Sequence, residues 1–434
     1  MVIEVWTLCF IALIITWFLL TCLIKNPDRK VIVFILLIAI LLRFLLSASL
    51  YGISIYRGEE GAFMGRDDLI FLERGRELSD HWQMNSFLTL PGYGIWTDKL
   101  SLHAYNYMCA AANFLFGQYD LPALLCLNIL IGSLAMLPTY TLGYNWGGPK
   151  VGKLAAIIVA VHPSTIFWSS LNFRDCYILL IFTSVAATLS QYLRDGALRN
   201  LWKSLFYGSL LVLFRFYFGY LVLLVTILIF YVKSRSIFVR NKTVAGHVLS
   251  LFLMGLLIFS AGYPIYNFIN EKFSQVSLIQ LRTVESMADE GSITAAMVGL
   301  KPIERLLRVP FGMVTTFIAP FPPWNFSEDE VHNIFAALNF FWLPFLGFLG
   351  WAAWRLYRDD RWQIYLMSLL IFIMILPGVY ASFVGSPRAI NPGYGIFMAM
   401  IALAIYRCRK KVEVLFLTGG VLIFGSFLYY YLHG

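Results

Sequence analysis

The chain has 434 residues, of which 59% are hydrophobic and only 13% charged, and its mean hydropathy is +0.73. Since soluble domains carry about 25% charged residues, this composition excludes an ordinary soluble enzyme. The formal net charge of +9 does not indicate nucleic-acid binding, because the basic residues form short clusters between apolar runs instead of one basic patch.

Apolar stretches long enough to cross a bilayer, about 18 residues or more, recur along the whole chain. They predict an all-α, polytopic protein in which residues 1–434 form a single integral membrane domain of about twelve transmembrane helices. The predicted spans are 5–24, 31–50, 121–144, 154–171, 176–192, 204–214, 216–232, 244–264, 335–357, 362–383, 391–407 and 412–431.

The basic clusters between these spans predict how the chain is threaded, because cytoplasmic loops of membrane proteins are enriched in lysine and arginine. All the clusters, from Lys25–Lys30 to Arg407–Lys411, lie in the cytoplasm only if both termini lie outside. Lys203 and Lys233 then share the cytoplasmic side, so the apolar run between them must cross twice. We therefore expect two short or tilted helices that meet near Arg215.

Two long loops, 51–120 and 265–334, lie outside in this threading. The apolar segments 102–116 and 306–320 within them must not cross the membrane, or the charge pattern inverts downstream. We expect both to form surface-lying or half-inserted helices. A chain with short inner loops and two long outer loops is expected to act at the outer face of the membrane.

The first outer loop contains three charged residues in succession, Arg66, Asp67 and Asp68. Two adjacent carboxylates just beyond a spanning helix can act as a general base or hold a divalent cation such as Mg or Mn. The alternative is a solvated loop that is rich in acids, since several glutamates lie nearby.

A second pair of charged residues, Arg174 and Asp175, lies in a very short turn between two apolar helices. Ionisable residues this close to hydrocarbon are costly and are often functional. The structural alternative is that the acid favours a helix N-terminus and pairs with the arginine. His162, in an apolar run before this turn, is expected to be a packed core residue and not a ligand.

Arg215 and Arg388 are arginines predicted on the outer side, against the usual charge bias. A phosphate-binding role would explain them, because guanidinium forms bidentate hydrogen bonds to phosphate oxygens. The alternative is snorkelling to lipid head groups. We favour a functional role for Arg388 and leave both interpretations open for Arg215.

Several motifs from about residue 60 onward form a pattern that resembles one family. They are Asp67-Asp68 with an aromatic residue three positions on, Phe116-Gly117, Gly148-Pro149-Lys150, Pro163, Trp168-Ser169, Arg174-Asp175, Pro320-Phe321-Pro322 and Arg388 with Pro392. This pattern resembles the GT-C superfamily of membrane glycosyltransferases, particularly bacterial relatives of the dolichyl-phosphate-mannose protein mannosyltransferases and the aminoarabinose transferases. The chain departs from the family at Phe71, where relatives often carry tyrosine, and in an extra helix before the usual first span.

The resemblance implies a donor sugar on a polyprenyl phosphate or pyrophosphate and an acceptor glycan, lipid or protein at the outer leaflet. Asp67 or Asp68 would be the general base, Asp175 a second acid, and Arg388 a ligand of the lipid phosphate. Some relatives hold a divalent cation with these acids, which would be Mg or Mn here. We expect Arg66, Arg174 and Arg215 to bind substrate as well.

The implied location is a bacterial inner membrane with a periplasmic or extracellular active face. The implied process is synthesis of cell-surface polysaccharide or glycoconjugates, without a nucleic-acid partner.

Two other functions stay open at this point. An O-antigen or capsule polymerase also joins lipid-linked sugars outside the cell, and typically uses arginines in outer loops. A flippase or transporter of lipid-linked oligosaccharide would carry charges in the middle of its spans, lining a cavity. Arg43, inside the second apolar run, is an exception to the general absence of such charges.

Overall fold

The structure is a computed structural model, and it describes residues 2–23, 28–58, 61, 63, 66–84, 103–241, 255, 345–382 and 391–408. Within these ranges all regular secondary structure is helical. The spans predicted at 244–264 and 412–431, the loop 265–334 with its segment 306–320, and Arg388 lie outside the described residues.

The first half of the chain folds into nine helices among the described residues. They are α1 (Val2–Leu23), α2 (Arg29–Tyr56), α3 (Arg66–Met84), α4 (His103–Phe116), α5 (Asp120–Leu134), α6 (Met136–Gly147), α7 (Pro149–Val161), α8 (Pro163–Ser169) and α9 (Asp175–Asp195). The rest of the described chain forms α10 (Leu198–Phe214), α11 (Phe216–Asn241), α12 (Leu346–Asp359), α13 (Arg361–Ser382) and α14 (Tyr394–Arg407), the last preceded by a 3-10 turn at Asn391–Gly393.

Four helical stretches of the described chain are long and apolar enough to cross a bilayer. They are Glu4–Cys22, Arg29–Tyr56, Asp120–Gly147 and Asp175–Asp195. Each coincides with a predicted span, and the chain is an integral membrane protein. By contrast, α4 has 14 residues. At 1.5 Å per residue it is about 21 Å long, shorter than the roughly 30 Å of a hydrocarbon core.

The fifth candidate span is broken, where the sequence predicted one continuous helix over 154–171. Helices α7 and α8 meet at an angle of 56°. The cause is Pro163, which has no backbone N–H to donate and disfavours helical backbone at the residue before it. His162 accordingly has an extended backbone, with φ −67° and ψ 126°.

A second break separates α10 from α11 at Arg215, whose φ of −148° and ψ of 89° are not helical. A Cβ atom on Gly219 would lie 2.3 Å from the backbone nitrogen of Val212. Residues seven apart in a straight helix are separated by about 10 Å, so the chain bends sharply here. The predicted break near Arg215 is present, and a single long helix is excluded.

The chain divides into two compact units. The first comprises Met1–Gly219, Gly347–Ile364 and Asn391–Leu415. Its centre is α9, which is largely buried and packs against α5, α6, α10 and α14. The second unit comprises Tyr220–Leu346, Tyr365–Ile390 and Phe416–Gly434, and its described residues belong mainly to α11 and α13.

Candidate active site

Helices α3 and α4 form a hairpin that packs on α5. Its own core consists of Leu78, Trp82 and Ala110, with the Tyr107 ring stacked on Trp82 at 5.8 Å. The hairpin is tied to α5 by charge: Arg76 Nε donates to Asp120 Oδ2 over 2.9 Å, at a carboxylate that is buried. The side-chain amide of Asn113 donates to the same oxygen over 3.0 Å. This ion pair fixes the start of α5 beneath the hairpin.

The turn that joins α8 to α9, residues 170–174, is recessed into the bundle. Ser170 Oγ donates to the carbonyl oxygen of Arg43 over 3.2 Å, and Arg43 lies midway along the 28 residues of α2. The turn therefore lies level with the middle of α2 and not with either of its ends. A small cleft between α2 and α5 borders the turn, with polar lining from Ser47, Tyr51 and Asn172.

Neutral polar side chains hold this recessed turn in place. The side-chain amide of Asn128 donates to the Leu171 carbonyl over 2.7 Å and to the Tyr105 hydroxyl over 2.9 Å. The Tyr105 hydroxyl in turn donates to Asn172 Oδ1 over 2.8 Å. Burial raises the pKa of the Tyr105 phenol well above its usual range, so it keeps the proton that it donates. The turn is thereby bonded to both α4 and α5.

The predicted charged pair flanks the N-terminus of α9. Arg174 is the residue before the helix, and its Nη1 donates to the Phe214 carbonyl over 2.9 Å. Asp175 lies in the first helical turn with 0% of its surface exposed. A carboxylate at this position is favoured by the helix dipole, as the structural alternative requires. The structural role therefore also provides a buried carboxylate at a fixed position.

Arg215 lies beside this pair, because it directly follows Phe214. The Phe214 ring stacks on Tyr177 of α9 at 5.0 Å and 15°, and its carbonyl accepts the bond from Arg174. The Arg215 side chain is half-buried. The break between α10 and α11 thus places the backbone of a second arginine next to the residue that bonds to Arg174.

Phe71 joins the α3–α4 hairpin to the charged turn. Its ring lies 5.2 Å from Tyr105 and 6.4 Å from Phe173, edge-on to both. The guanidinium carbon of Arg174 lies 5.9 Å from the centroid of the Phe71 ring, within the range of a cation–π interaction. Phe71 thus presents an aromatic face to Arg174.

The three charged residues predicted in the first outer loop open α3. Asp67 and Asp68 precede Phe71 by four and three residues, so their backbone positions lie one helical turn before it. The backbone at the start of α3 therefore lies about one helical turn before the residue that contacts Arg174, and Arg215 follows the residue whose carbonyl accepts the Arg174 bond. Among the described residues, no group of three or more His, Cys, Asp or Glu side chains is arranged to hold a metal ion. A metal site that uses Asp67 and Asp68 stays a prediction.

Sequence reasoning missed the neutral polar residues that hold the turn, Tyr105, Asn128 and Asn172. One available signal was an asparagine in an apolar run, since polar side chains within membrane helices commonly bond to neighbouring helices. His162 is buried with its ring 4.9 Å from Tyr394, as expected of a packed core residue.

These features define a helical integral membrane protein with a buried acid, Asp175, and Arg174 beside it at a recessed turn. No protein-family model and no curated protein matches the chain. Among solved structures, it is similar to the oligosaccharyltransferase AglB of Archaeoglobus fulgidus in complex with an inhibitory peptide and a dolichol-phosphate, with 14% identity and a TM-score of 0.46 over 89% of this chain and 51% of that one.

Two further structures of the Archaeoglobus fulgidus oligosaccharyltransferase are similar to the chain. The apo form is 16% identical, with a TM-score of 0.46 over 93% of this chain and 55% of that one. The complex with zinc and sulfate is 15% identical, with a TM-score of 0.39 over 82% and 51%. The chain spans about half the length of these proteins. Values this low assign neither a family nor an activity.

Proposed function

We propose that this protein is a GT-C-type glycosyltransferase. It moves a sugar from a polyprenyl-phosphate-type lipid to an acceptor at the outer face of the membrane, in the synthesis of cell-surface polysaccharide or glycoconjugates. The observation that carries the proposal is the contact of Phe71 with Arg174, whose guanidinium carbon lies 5.9 Å from the ring centroid.

This contact supports the proposal because it relates two separate sequence motifs in space. Asp67 and Asp68 are positioned four and three residues before Phe71 in α3, a spacing that brings helix positions close together. One helical turn is about 5.4 Å long, so the acid pair begins about one turn from the residue that touches Arg174. Asp175 follows directly in α9. In this proposal, acids and arginines from distant parts of the chain form one site.

The chemistry requires both signs of charge. A general base takes the proton from the acceptor hydroxyl as its oxygen attacks the sugar carbon, and the bond from that carbon to the phosphate oxygen breaks. Asp67 or Asp68 is the base in this proposal. Arg174 and Arg215 stabilise the negative charge on the departing phosphate. Arg388 is assigned to the lipid phosphate by the family resemblance, together with a substrate-binding role for Arg66.

A divalent cation is compatible with these residues. Asp175 offers a buried carboxylate directly after Arg174 in the chain, and carboxylate oxygens are ligands that Mg and Mn prefer. Asp67, Asp68 and Asp175 would hold such an ion, which would add positive charge near the phosphate.

The test is transfer by purified protein in liposomes that contain a polyprenyl-phosphate-linked sugar. Asp67→Asn, Asp68→Asn and Asp175→Asn each remove one carboxylate charge with little change in volume. We expect the variant that loses the general base to transfer about 100-fold more slowly or worse. Glu73→Gln is the matched control, because Glu73 is an exposed acid on the same helix, and its activity should stay at the wild-type level.

Unchanged transfer in all three aspartate variants would contradict the proposal. A flippase would move the lipid-linked sugar across the bilayer without forming a glycosidic bond. A polymerase would produce glycan chains of increasing length on the lipid carrier. The buried bonds of Arg43 to helix carbonyls weigh against a transport cavity lined by that charge.

A further inference from the structure

The broken span α7–α8 leaves backbone carbonyl groups without their regular partners. In a continuous helix the N–H of residue 163 would bond to the carbonyl of Val159, but Pro163 has no N–H. The 56° bend between the two helices also ends the regular pattern for the last turn of α7. Unbonded carbonyls inside a bilayer are costly, so this break requires side-chain donors in place of the missing backbone N–H groups.

Thr165 Oγ1 donates to the Val159 carbonyl over 2.7 Å, and Arg43 supplies further donors from the middle of α2. Its Nη1 donates to the Ala160 carbonyl over 2.9 Å, and its Nη2 reaches the Val159 carbonyl at 3.5 Å. A guanidinium group has five N–H donors, and each is directed at an oxygen atom. The other acceptors are Ala39 O at 3.1 Å, Thr165 Oγ1 at 3.4 Å and Ser169 Oγ at 2.8 Å.

The charge of Arg43 is compensated by this arrangement. The side chain is 1% exposed, and a buried ion without partners would be strongly unfavourable. The C-terminal end of a helix carries partial negative charge, and Arg43 lies at the C-terminal end of α7. A lysine ammonium group has three N–H donors on one nitrogen atom, so it cannot reproduce the planar arrangement of the guanidinium donors.

The contacts of Arg43 extend from the break to the turn before α9. The Nε of Arg43 donates to the hydroxyl of Ser169, which is the last residue of α8. The backbone carbonyl of Arg43 accepts a hydrogen bond from the hydroxyl of Ser170, the first residue of the turn. We infer that Arg43 is a positioning residue: by capping the broken end of α7 it determines where α8 and the following turn lie, and thereby where Arg174 and Asp175 lie. The capping stands on geometry alone, and its effect on sugar transfer rests on the proposed function.

A double-mutant cycle with Arg43→Met and Pro163→Ala tests the capping in the full-length protein. Alanine at 163 restores a backbone N–H and lets the helix continue, which removes the need for the cap. We expect Arg43→Met to lower the melting temperature by about 5 °C or more. In the Pro163→Ala background the same change should lower it by less than half as much. Lys30→Met is the control, because it removes an exposed cation from the same helix.

Hydrogen–deuterium exchange provides the positional readout. In Arg43→Met the peptides that cover residues 159–175 should exchange faster than in the wild type, while those of α10 keep their protection. The exchange rate of these peptides in Arg43→Lys should be intermediate between those of Arg43→Met and the wild type. Sugar transfer by Arg43→Met should fall about 100-fold, as expected when catalytic groups are displaced by about 1 Å, and Pro163→Ala should not restore it.

Additive losses in the cycle, or unchanged exchange at 159–175, would overturn the inference. If Arg43→Met does not accumulate, accumulation of the double variant supports the capping, and its loss while Pro163→Ala alone accumulates refutes it. Absence of transfer in the wild-type protein would instead refute the proposed function and leave the stability cycle to decide on Arg43.

Discussion

Asn128 lies in an apolar stretch of α5, yet its amide group determines how a turn three helices later is held. It donates to Tyr105 and to the Leu171 carbonyl, and both groups are buried. Buried polar groups that lose a partner cost more than the bond itself contributes. At the scale of single residues, the recessed turn thus depends on uncharged side chains, while the proposed chemistry depends on charged ones.

Asn128→Leu should therefore destabilise the protein by about 1–3 kcal/mol, because it removes the hydrogen bonds from the Asn128 amide to the Leu171 carbonyl and the Tyr105 hydroxyl and replaces them with an apolar side chain of similar volume. Tyr105→Phe, which removes only the hydroxyl group, should have a smaller effect. Thermal unfolding in detergent measures both. Ser49→Ala is the control, since Ser49 is exposed and its hydroxyl bonds only one turn back to Leu45. Equal melting temperatures for Asn128→Leu and Ser49→Ala would contradict this role.

The charged candidates Arg174 and Asp175 could be predicted because a charge next to hydrocarbon is conspicuous in a sequence. The neutral partners could not, because a sequence does not show which helix an asparagine will face. Arg43 was conspicuous for the same reason as Arg174, but its role was not predictable. The carbonyls that it binds belong to a break more than a hundred residues away in the chain.

At the scale of helices, two breaks shape the neighbourhood of the turn, and they differ in how well the sequence predicts them. The break at Arg215 follows from charge alone, because Lys203 and Lys233 must share one side. The break at Pro163 lies inside an apolar run that hydropathy reads as one span. Proline within membrane helices is tolerated where neighbours satisfy the freed backbone groups, so only the structure shows the break.

The bend after Arg215 requires a residue without a side chain at position 219. A Cβ atom there would lie 2.3 Å from Val212 N and 2.6 Å from Val212 Cα. We expect Gly219→Ala to destabilise the protein by about 1–3 kcal/mol through overpacking, although alanine is the better helix former. Thermal unfolding measures the effect.

Gly52→Ala is the matched control for this change, because nothing lies within 4 Å of a Cβ atom at that helical glycine. Because alanine has a higher helix propensity than glycine, Gly52→Ala should leave the free energy of unfolding unchanged or raise it by up to about 1 kcal/mol. A Gly219→Ala protein as stable as Gly52→Ala would show that the two segments do not pack as closely as the structure has them.

At the scale of the whole molecule, composition and charge determine the class of protein and its expected orientation. Apolar length predicts spans that the structure contains as helices, among them α1, α2 and α9. The hydrophobic periodicity of the sequence does not predict how the α3–α4 hairpin packs near the turn. That packing depends on contacts between distant segments, such as the ion pair of Arg76 with Asp120.

Orientation can be tested with a membrane-impermeant maleimide on intact cells. The described cysteines are all free, and Cys22 is exposed, so labelling requires a cysteine-free background. A cysteine at exposed Glu73 of α3 should react, one at exposed Lys150 of α7 should react only after the cells are opened, and one at Ala389 should behave as at Glu73. Reaction at Lys150 in intact cells would place the proposed site on the wrong side of the membrane.

The depth of the turn has a consequence for how its charges act. Mobile ions screen charges at a protein surface over about 10 Å in 0.1 M salt, but they do not enter a dry helical interior. Arg174 and Asp175 flank a turn that is level with the midpoint of α2. The electrostatic interaction between these charges and a phosphate bound there would therefore depend little on ionic strength. The attraction of a lipid head group to arginines on the exposed surface would weaken as salt is added.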